Sequence, residues 1–340
     1  MSSILVVDDE MAMRRLVTRW VEGAGHDASE AANADEALAM IGQQPPAIAV
    51  CDVRMPGHDG LWLAERIQRD FPDTAVIVAS AGRDTDPRVA GHTGAVDYLA
   101  KPFGRQRLAF ALERGLDWHH AAAQRRAWLA HLAREADVRR ECLRMSVAEL
   151  QCAPGETLDA LLTLIGDDDP KLLDHSRRVA ALAVRIGAAL RLSRPEMETL
   201  NEAALLHDFG KLSVPHMVLQ KPAPLLPGEK AIVRQHSSVA VETLMSLGGF
   251  EAPASVLLWC DRRFHGRACD TDGKRDPLRL LASVITVADA YDAMTNRQIY
   301  RDALPSAEAT SELLRCTSTQ FDPHVVSVLL EMLGDADRPG

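Results

Sequence analysis

Hydrophobic and polar positions divide the chain into two halves that follow different rules. Over the first 120 or so residues, short unbroken apolar runs alternate with longer mixed segments. "ILVVDD" (4–9), "AIAVCDV" (47–53) and "TAVIVAS" (74–80) have the continuous, β-branched character of strands buried on both faces. Between them, "MAMRRLVTRWVEGAG" and "LWLAERIQRDF" repeat their apolar residues at helical spacing. Strands alternating with helices predict a parallel sheet wound on both sides by right-handed crossovers, a doubly wound α/β domain.

The pattern changes near residue 105. From there to about 150 no strand run occurs, and Leu112, Leu116, Trp118, Trp128, Leu129 and Leu132 recur at helical spacing in an Ala-, Leu-, Arg- and Glu-rich segment. This predicts a connecting helix, and one that can pair with its copy in a homodimer. Beyond it, "GETLDALLTLIG", "HSRRVAALAVRIGAALRL", "PEMETLNEAALLHDFG", "GEKAIVRQHSSVAVETLMSLGG" and "PLRLLASVITVADAYDAM" read as helices separated by Pro and Gly breaks, an all-helical bundle. The expected organisation is an α/β domain over 1–120, a connecting helix over 121–155 and a helical domain over 156–335.

A chain of 340 residues is long enough for two such cores. Its net charge of −10 argues against direct DNA binding, which favours a basic face. No run approaches the ~20 apolar residues of a membrane span, and the N-terminus enters a strand without a signal sequence, so a cytoplasmic protein is expected. The six cysteines, at 51, 142, 152, 260, 269 and 316, form no CxxC pair and are expected to be reduced and mostly buried.

Asp8 and Asp9 close the first apolar run, and Asp52 closes the second. Open parallel sheets bind ligands at the carboxyl ends of their strands, so these carboxylates are expected to converge. An oxygen-lined site of this kind suits Mg²⁺, which would neutralise a phosphoryl donor while Asp52 attacks phosphorus. Ser80 ends the third run, where it can hydrogen-bond a phosphoryl oxygen, and Lys101 in "DYLAKPF" can pair with one; the Lys101–Pro102 bond is a candidate for cis. Asp73, Asp84 and Asp97 show no convergence and read as surface residues.

Taken in order, "VVDDE", "CDVRMPGHDG", the hydroxyl at 80 and "DYLAKPF" make residues 1 to about 120 resemble the response-regulator receiver domain. The resemblance implies a five-stranded sheet, Mg²⁺ on Asp8, Asp9 and Asp52, phosphorylation of Asp52 by a partner sensor histidine kinase, and Ser80 with Tyr98 as the switch pair.

In the second half, "LLHDFGKLSVP" places His207 beside Asp208, an imidazole and a carboxylate able to share one metal. His175 opens one predicted helix, His236 lies in another, and Asp289 sits late in a third. Ligands spread over several helices are how helical bundles build di-metal sites. Lys211, one turn after His207, can place a cation beside a phosphate. His119, His120 and His131 read as solvated, and His216, His265 and His324 as surface or loop residues.

The order His…His-Asp…Asp resembles the HD phosphohydrolase superfamily. "HDFGKLSVPHMVLQKPAPLLPGE", "VRQHSSVAVETL", "PLRLLASVITVADAYDAMTNRQIYRDAL" and "TQFDPHVV" narrow the resemblance to its HD-GYP branch over about 160–330. That implies hydrolysis of cyclic di-GMP at a centre of two or three metals, often iron or manganese; one or two divalent transition metals of this kind are expected in this chain. By position, His175, His207, Asp208, His236 and Asp289 match ligands, and Lys211 and Arg301 match substrate-binding residues; a further arginine near the nucleotide falls on Gln298, with Arg297 adjacent as the candidate.

The branch's naming motif, His-His-Glu-x-x-Asp-Gly-x-Gly-Tyr-Pro, falls on "CDRRFHGRACD" (260–270), where only Gly266 survives. Asp261 keeps a hard oxygen and joins the candidate ligand set, and Cys260 offers a thiolate. Lys171, one turn before His175, stands where three-metal relatives often carry an acid. Three readings follow: a phosphorylation-controlled, metal-dependent phosphodiesterase for cyclic di-GMP or a related phosphoester, a catalytically impaired module that binds a nucleotide or a partner protein, and a phosphohydrolase for some other nucleotide.

Overall fold

The computed structural model describes residues 1–81, 94–150, 154–260, 276–297 and 302–336. Two compact units emerge, Met1–Trp128 and Leu129–Gly340.

In the first unit, β1 (Ser3–Val7), β2 (Asp27–Ala31), β3 (Ile48–Asp52), β4 (Ala75–Ala81) and β5 (Asp97–Lys101) form one parallel sheet in the order β2-β1-β3-β4-β5. Side chains alternate across it. Ile4, Val6, Ile48, Val50, Ile77 and Leu99 face one core with Val17 and Val21 of α1 (Met11–Glu22). Leu5, Val7, Ala49, Val76 and Val78 face the other, with Ala37 and Ile41 of α2 (Ala34–Gln43) and Leu63 and Ile67 of α3 (Gly60–Asp70). This is the doubly wound sheet that the apolar runs predict. The polar edge strand β2, "DASEA", escapes such a reading because only Ala31 in it is buried.

Asp97 corrects an expectation. It is 7% exposed, not a surface residue, and receives two hydrogen bonds from Arg107 at 3.0 and 2.8 Å. The guanidinium supplies the charge partner that a buried carboxylate requires.

α4 (Arg105–Ala148) is one continuous helix. Leu108, Ala111 and Leu112 near its start belong to the first unit's core, and Leu143 and Val147 near its end to the second's. The described cysteines depart from the expected burial: Cys51 is buried, Cys142 exposed, and Cys260 and Cys316 half-buried. Cys51 lies on a fully covered strand, whereas Cys142 occupies an outward position of α4.

The second unit is helical. α5 (Pro154–Asp168), α6 (Pro170–Ala189) and α7 (Arg194–Leu206) lead into a 3₁₀ turn (Phe209–Ser213), followed by α8 (His216–Leu219), α9 (Pro227–Arg234), α10 (His236–Met245), α11 (Glu251–Cys260), α12 (Pro277–Thr295), α13 (Ser306–Arg315) and α14 (Pro323–Ala336). Its core includes Leu161, Val179, Leu200, Phe209, Leu244, Val284 and Leu329. Asp169 caps α6 through the Lys171 and Leu172 N–H groups, with Pro170 at the first helical position.

Two boundaries differ from the pattern reading. His175 lies in the second turn of α6 and does not open it, because Pro170 and the Asp169 cap start the helix earlier. The segment around "VRQHSSV" is two helices. The His236 ring takes up the Val233 carbonyl at 2.7 Å, and the Gln235 N–H turns back to Ile232 at 3.2 Å, which closes α9. Among the described residues, no helix is long and apolar enough to cross a membrane.

Candidate functional site

In the first unit, strand register places the acidic residues. Asp52 pairs with Ala79, and Ser80 with Ala100, so the ends of β3, β4 and β5 lie side by side, with Asp8 following β1. Asp8, Asp9 and Asp52 each bring a carboxylate oxygen within 4.8 Å of the others. The Lys101 ammonium bridges two of them, 2.7 Å from Asp8 Oδ2 and 2.7 Å from Asp52 Oδ1. Lys101–Pro102 is cis.

Burial pushes the Asp52 carboxyl up; the Lys101 hydrogen bond and charge draw it back, and Asp8 and Asp9 push it up again, leaving a net rise. Lys101 is itself raised, since its hydrogen bonds to Asp52 and Asp8 outweigh burial. The adjacent Cys51 thiol is pushed up to about 12 by burial and the Asp52 charge. Ser80 is buried, and its Oγ has no hydrogen-bond partner among the described residues, a donor held ready beside the carboxylates. Tyr98 is half-buried on β5.

In the second unit, four separate segments bring their polar groups together. His175 comes from α6, His207 and Asp208 from the end of α7, His236 from the first residue of α10, and Asp289 from α12. The His175 Nε2 lies 3.6 Å from Asp208 Oδ2 and 3.2 Å from Asp289 Oδ1. The His207 Nε2 lies 3.5 and 3.8 Å from the same oxygens, and the His236 Nε2 lies 3.6 Å from Asp208 Oδ1.

The far side of every ring is tied. His175 Nδ1 bonds the Asp292 carboxylate at 2.7 Å, His207 Nδ1 the Ala204 carbonyl at 2.8 Å, and His236 Nδ1 the Val233 carbonyl at 2.7 Å. An Nδ1–H held this way leaves the Nε2 lone pair free for a cation. His207 Nε2 is buried and has no hydrogen-bond partner among the described residues. A buried acceptor with no donor is costly unless a ligand fills the role. With two carboxylates completing the set, the donors fit a divalent transition metal.

Without a cation, the charges compensate each other. Burial pulls His175 down, but its bonds to Asp289 and Asp292 and the Asp208 charge lift it to about 9. Asp208 and Asp289 stay below the usual carboxylate range: burial raises them, but the Lys211 and His207 charges outweigh it for Asp208, and the His175 hydrogen bond with the charges of His207 and His175 for Asp289. A bound cation would take the place of the imidazole protons.

Asp292 was not legible as a site residue. It is 5% exposed, orients His175, and is itself held by Arg178 at 2.8 and 3.0 Å. Its sequence signal is its position three residues after Asp289 on the same helix face. Asp292→Asn, which weakens the acceptor behind His175, is expected to lower metal affinity or turnover by roughly 10–100-fold; a Mn²⁺ titration checks this.

A cavity of about 1030 Å³ opens onto this centre, lined by Lys171, His175, Arg178, Lys211, Asp289 and Arg297 among others. Asp289 is 43% exposed towards it, whereas the Asp208 side chain is only 6% exposed. Lys211 lies on the 3₁₀ turn, not on a continued helix, and its ammonium bonds Asp208. Arg297 is exposed and pairs with Asp302 at 3.5 Å. Asp261, His265 and Arg301 lie outside the described residues. His216 is not a plain surface residue: its Nε2 lies 3.1 Å from Arg139 and 3.2 Å from Asp168.

Comparison with known proteins agrees with this division. Residues 4–113 match the response regulator receiver domain, and residues 159–325 match the HD domain. The chain is 25% identical over 333 residues to a cyclic di-GMP phosphodiesterase of Thermotoga maritima, covering 97% of this chain and 90% of that protein. It is 26% identical to the cyclic di-GMP phosphodiesterase response regulator RpfG of Xanthomonas campestris, covering 96% and 87% respectively. Over a shorter span, 56% of this chain and 41% of the other, it is 30% identical to a 3'3'-cGAMP-specific phosphodiesterase of Vibrio cholerae. Among solved structures, the receiver domain of NtrX from Brucella abortus matches 34% of this chain and 98% of that one, at 35% identity and a TM-score of 0.32.

Proposed function

Because the chain joins a response regulator receiver domain to an HD domain, we propose that it is a two-component response regulator whose HD domain hydrolyses cyclic di-GMP under control of Asp52 phosphorylation. The observation that carries the hydrolase half is the convergence of the His175 and His207 Nε2 atoms on Asp208 Oδ2 and Asp289 Oδ1, with the His236 Nε2 against Asp208 Oδ1 and each Nδ1 tied behind its ring. His175, His207, Asp208 and Asp289 would hold a first metal, iron or manganese, and His236, with Asp261, a second. When bound, such a metal supplies Lewis-acid polarisation of a phosphoryl oxygen and activates water.

The chain's own groups do the rest. Lys171, Arg178, Lys211 and Arg297 line the cavity beside Asp169, Asp174, Asp289 and Glu312, so cationic groups stand within it for the phosphates of a cyclic dinucleotide. Lys211, anchored by Asp208 at the mouth of the centre, is placed to stabilise charge that develops on the phosphoryl oxygens. Asp292 and the two backbone carbonyls keep the imidazoles in one tautomer and orientation.

Elemental analysis with a turnover assay tests this reading. At least one tightly bound ion per chain and linearisation of cyclic di-GMP under Mn²⁺ or Fe²⁺ are expected; fewer ions and no turnover would sink it. The second reading, a module that binds without hydrolysis, draws on the altered "CDRRFHGRACD" stretch and on the engagement of Lys211 with Asp208. It predicts cyclic di-GMP binding without product.

In the receiver, Asp8, Asp9 and Asp52 would hold Mg²⁺, and Asp52 Oδ would take the phosphoryl group from a sensor histidine kinase. Ser80 and Tyr98 would respond to it, and Lys101 would move from its carboxylate partners towards the new anion. Asp52→Asn is expected to abolish labelling by acetyl phosphate and any effect of beryllofluoride on turnover; residual labelling would place the acceptor elsewhere.

A further inference from the structure

The connecting helix grips the HD centre through two consecutive arginines. From α4, the Arg139 Nε donates to the Leu212 carbonyl at 3.0 Å, and its NH2 group donates to both Asp168 oxygens at 2.9 and 3.0 Å. Leu212 directly follows Lys211 in the 3₁₀ turn. Asp168 directly precedes Asp169, the cap of the helix that carries His175. His216 completes the cluster, 3.1 Å from the same guanidinium nitrogen. The next residue, Arg140, reaches Gln235 Oε1 at 3.0 Å, one position before His236. Residues adjoining three site segments are therefore held from one turn of α4. A guanidinium suits this task because its planar fork can serve a carboxylate and a carbonyl together.

We propose that Arg139 is a positioning residue for the HD site, fixing the Lys211 turn and the start of the His175 helix to the connecting helix. Its activity readout rests on the hydrolase reading; its metal readout does not. The same helix begins at Arg105 and contributes Leu108, Ala111 and Leu112 to the receiver's core.

The test uses the full chain with Arg139→Gln, Arg139→Lys and, as a second route to the same contact, Asp168→Asn. Mn²⁺ affinity, kcat and KM for cyclic di-GMP, and thermal melting are measured in each, with and without beryllofluoride. Arg139→Gln is expected to melt cooperatively, bind Mn²⁺ about tenfold more weakly and lose roughly 10–100-fold in kcat with KM nearly unchanged. Arg139→Lys should recover part of this loss, since an ammonium can serve Asp168 while releasing Leu212. Asp168→Asn should shift the same quantities in the same direction, by less. A lower melting temperature with wild-type Mn²⁺ affinity and kcat would overturn the proposal, as would a rise in KM alone. If the wild type binds Mn²⁺ without turning over, the hydrolase reading fails, and the Mn²⁺ arm still decides the role of Arg139.

Discussion

Replacing His207 with alanine is expected to strip the HD centre of its metal and abolish any cyclic di-GMP turnover. The His207 side chain is 8% exposed, its Nδ1 is committed to Ala204, and its Nε2 points at Asp208 and Asp289 with no hydrogen-bond partner among the described residues. Among the described residues, the two other rings of the centre, His175 and His236, are held by their own Nδ1 contacts. Losing a ligand outright should exceed the roughly 10–100-fold cost of losing its support. Metal content per chain and Mn²⁺ affinity are the direct readouts, with circular dichroism to confirm that the helices remain. A variant that keeps the wild-type metal stoichiometry would contradict the assignment of His207 to the centre.

The second large effect is expected at Gly210, and its cause is purely steric. A Cβ built there falls 1.8 Å from the His236 carbonyl oxygen and 2.9 Å from the Ala240 nitrogen. Both atoms are backbone, so no rotamer change relieves the clash. The 3₁₀ turn and α10 must separate, which draws Asp208 Oδ1 away from His236 Nε2, now 3.6 Å apart. Gly210→Ala should therefore cost about 1–3 kcal/mol or more in stability and weaken Mn²⁺ binding with it. Gly248→Ala is the matched control, since a Cβ at Gly248 meets nothing within 4 Å. A Gly210→Ala protein that melts and binds Mn²⁺ like the wild type would show that the two segments need not touch.

This glycine shows what kind of information the sequence carries. The pattern places His207, Asp208, Gly210 and Lys211 within five residues, but the reason for Gly210 lies in a helix 26 residues further on. The receiver pocket was the most legible part. Each of its carboxylates ends an apolar run, and a parallel sheet brings such ends together by its own geometry. The candidate HD ligands were legible through the resemblance that the His…His-Asp…Asp order carries to the HD family.

Residues that act through a tertiary partner were not. Asp292 matters because it meets His175, 117 residues away, and Arg139 because it meets Leu212, 73 residues away. Asp97 was misread for the same reason, since the guanidinium that makes its burial tolerable sits ten residues on. The edge strand β2 lacked a signal because an edge has only part of its surface to hide. The break before His236 was hidden as well, because a ring that competes for a backbone carbonyl leaves no mark in the apolar periodicity.

Lys101 lies between Asp8 and Asp52 with its ammonium 2.7 Å from each. The receiver thus carries an internal counter-ion shared by the two carboxylates. On the proposed reading, removing the divalent ion would halt phosphoryl transfer at Asp52 while Lys101 still compensates both carboxylates.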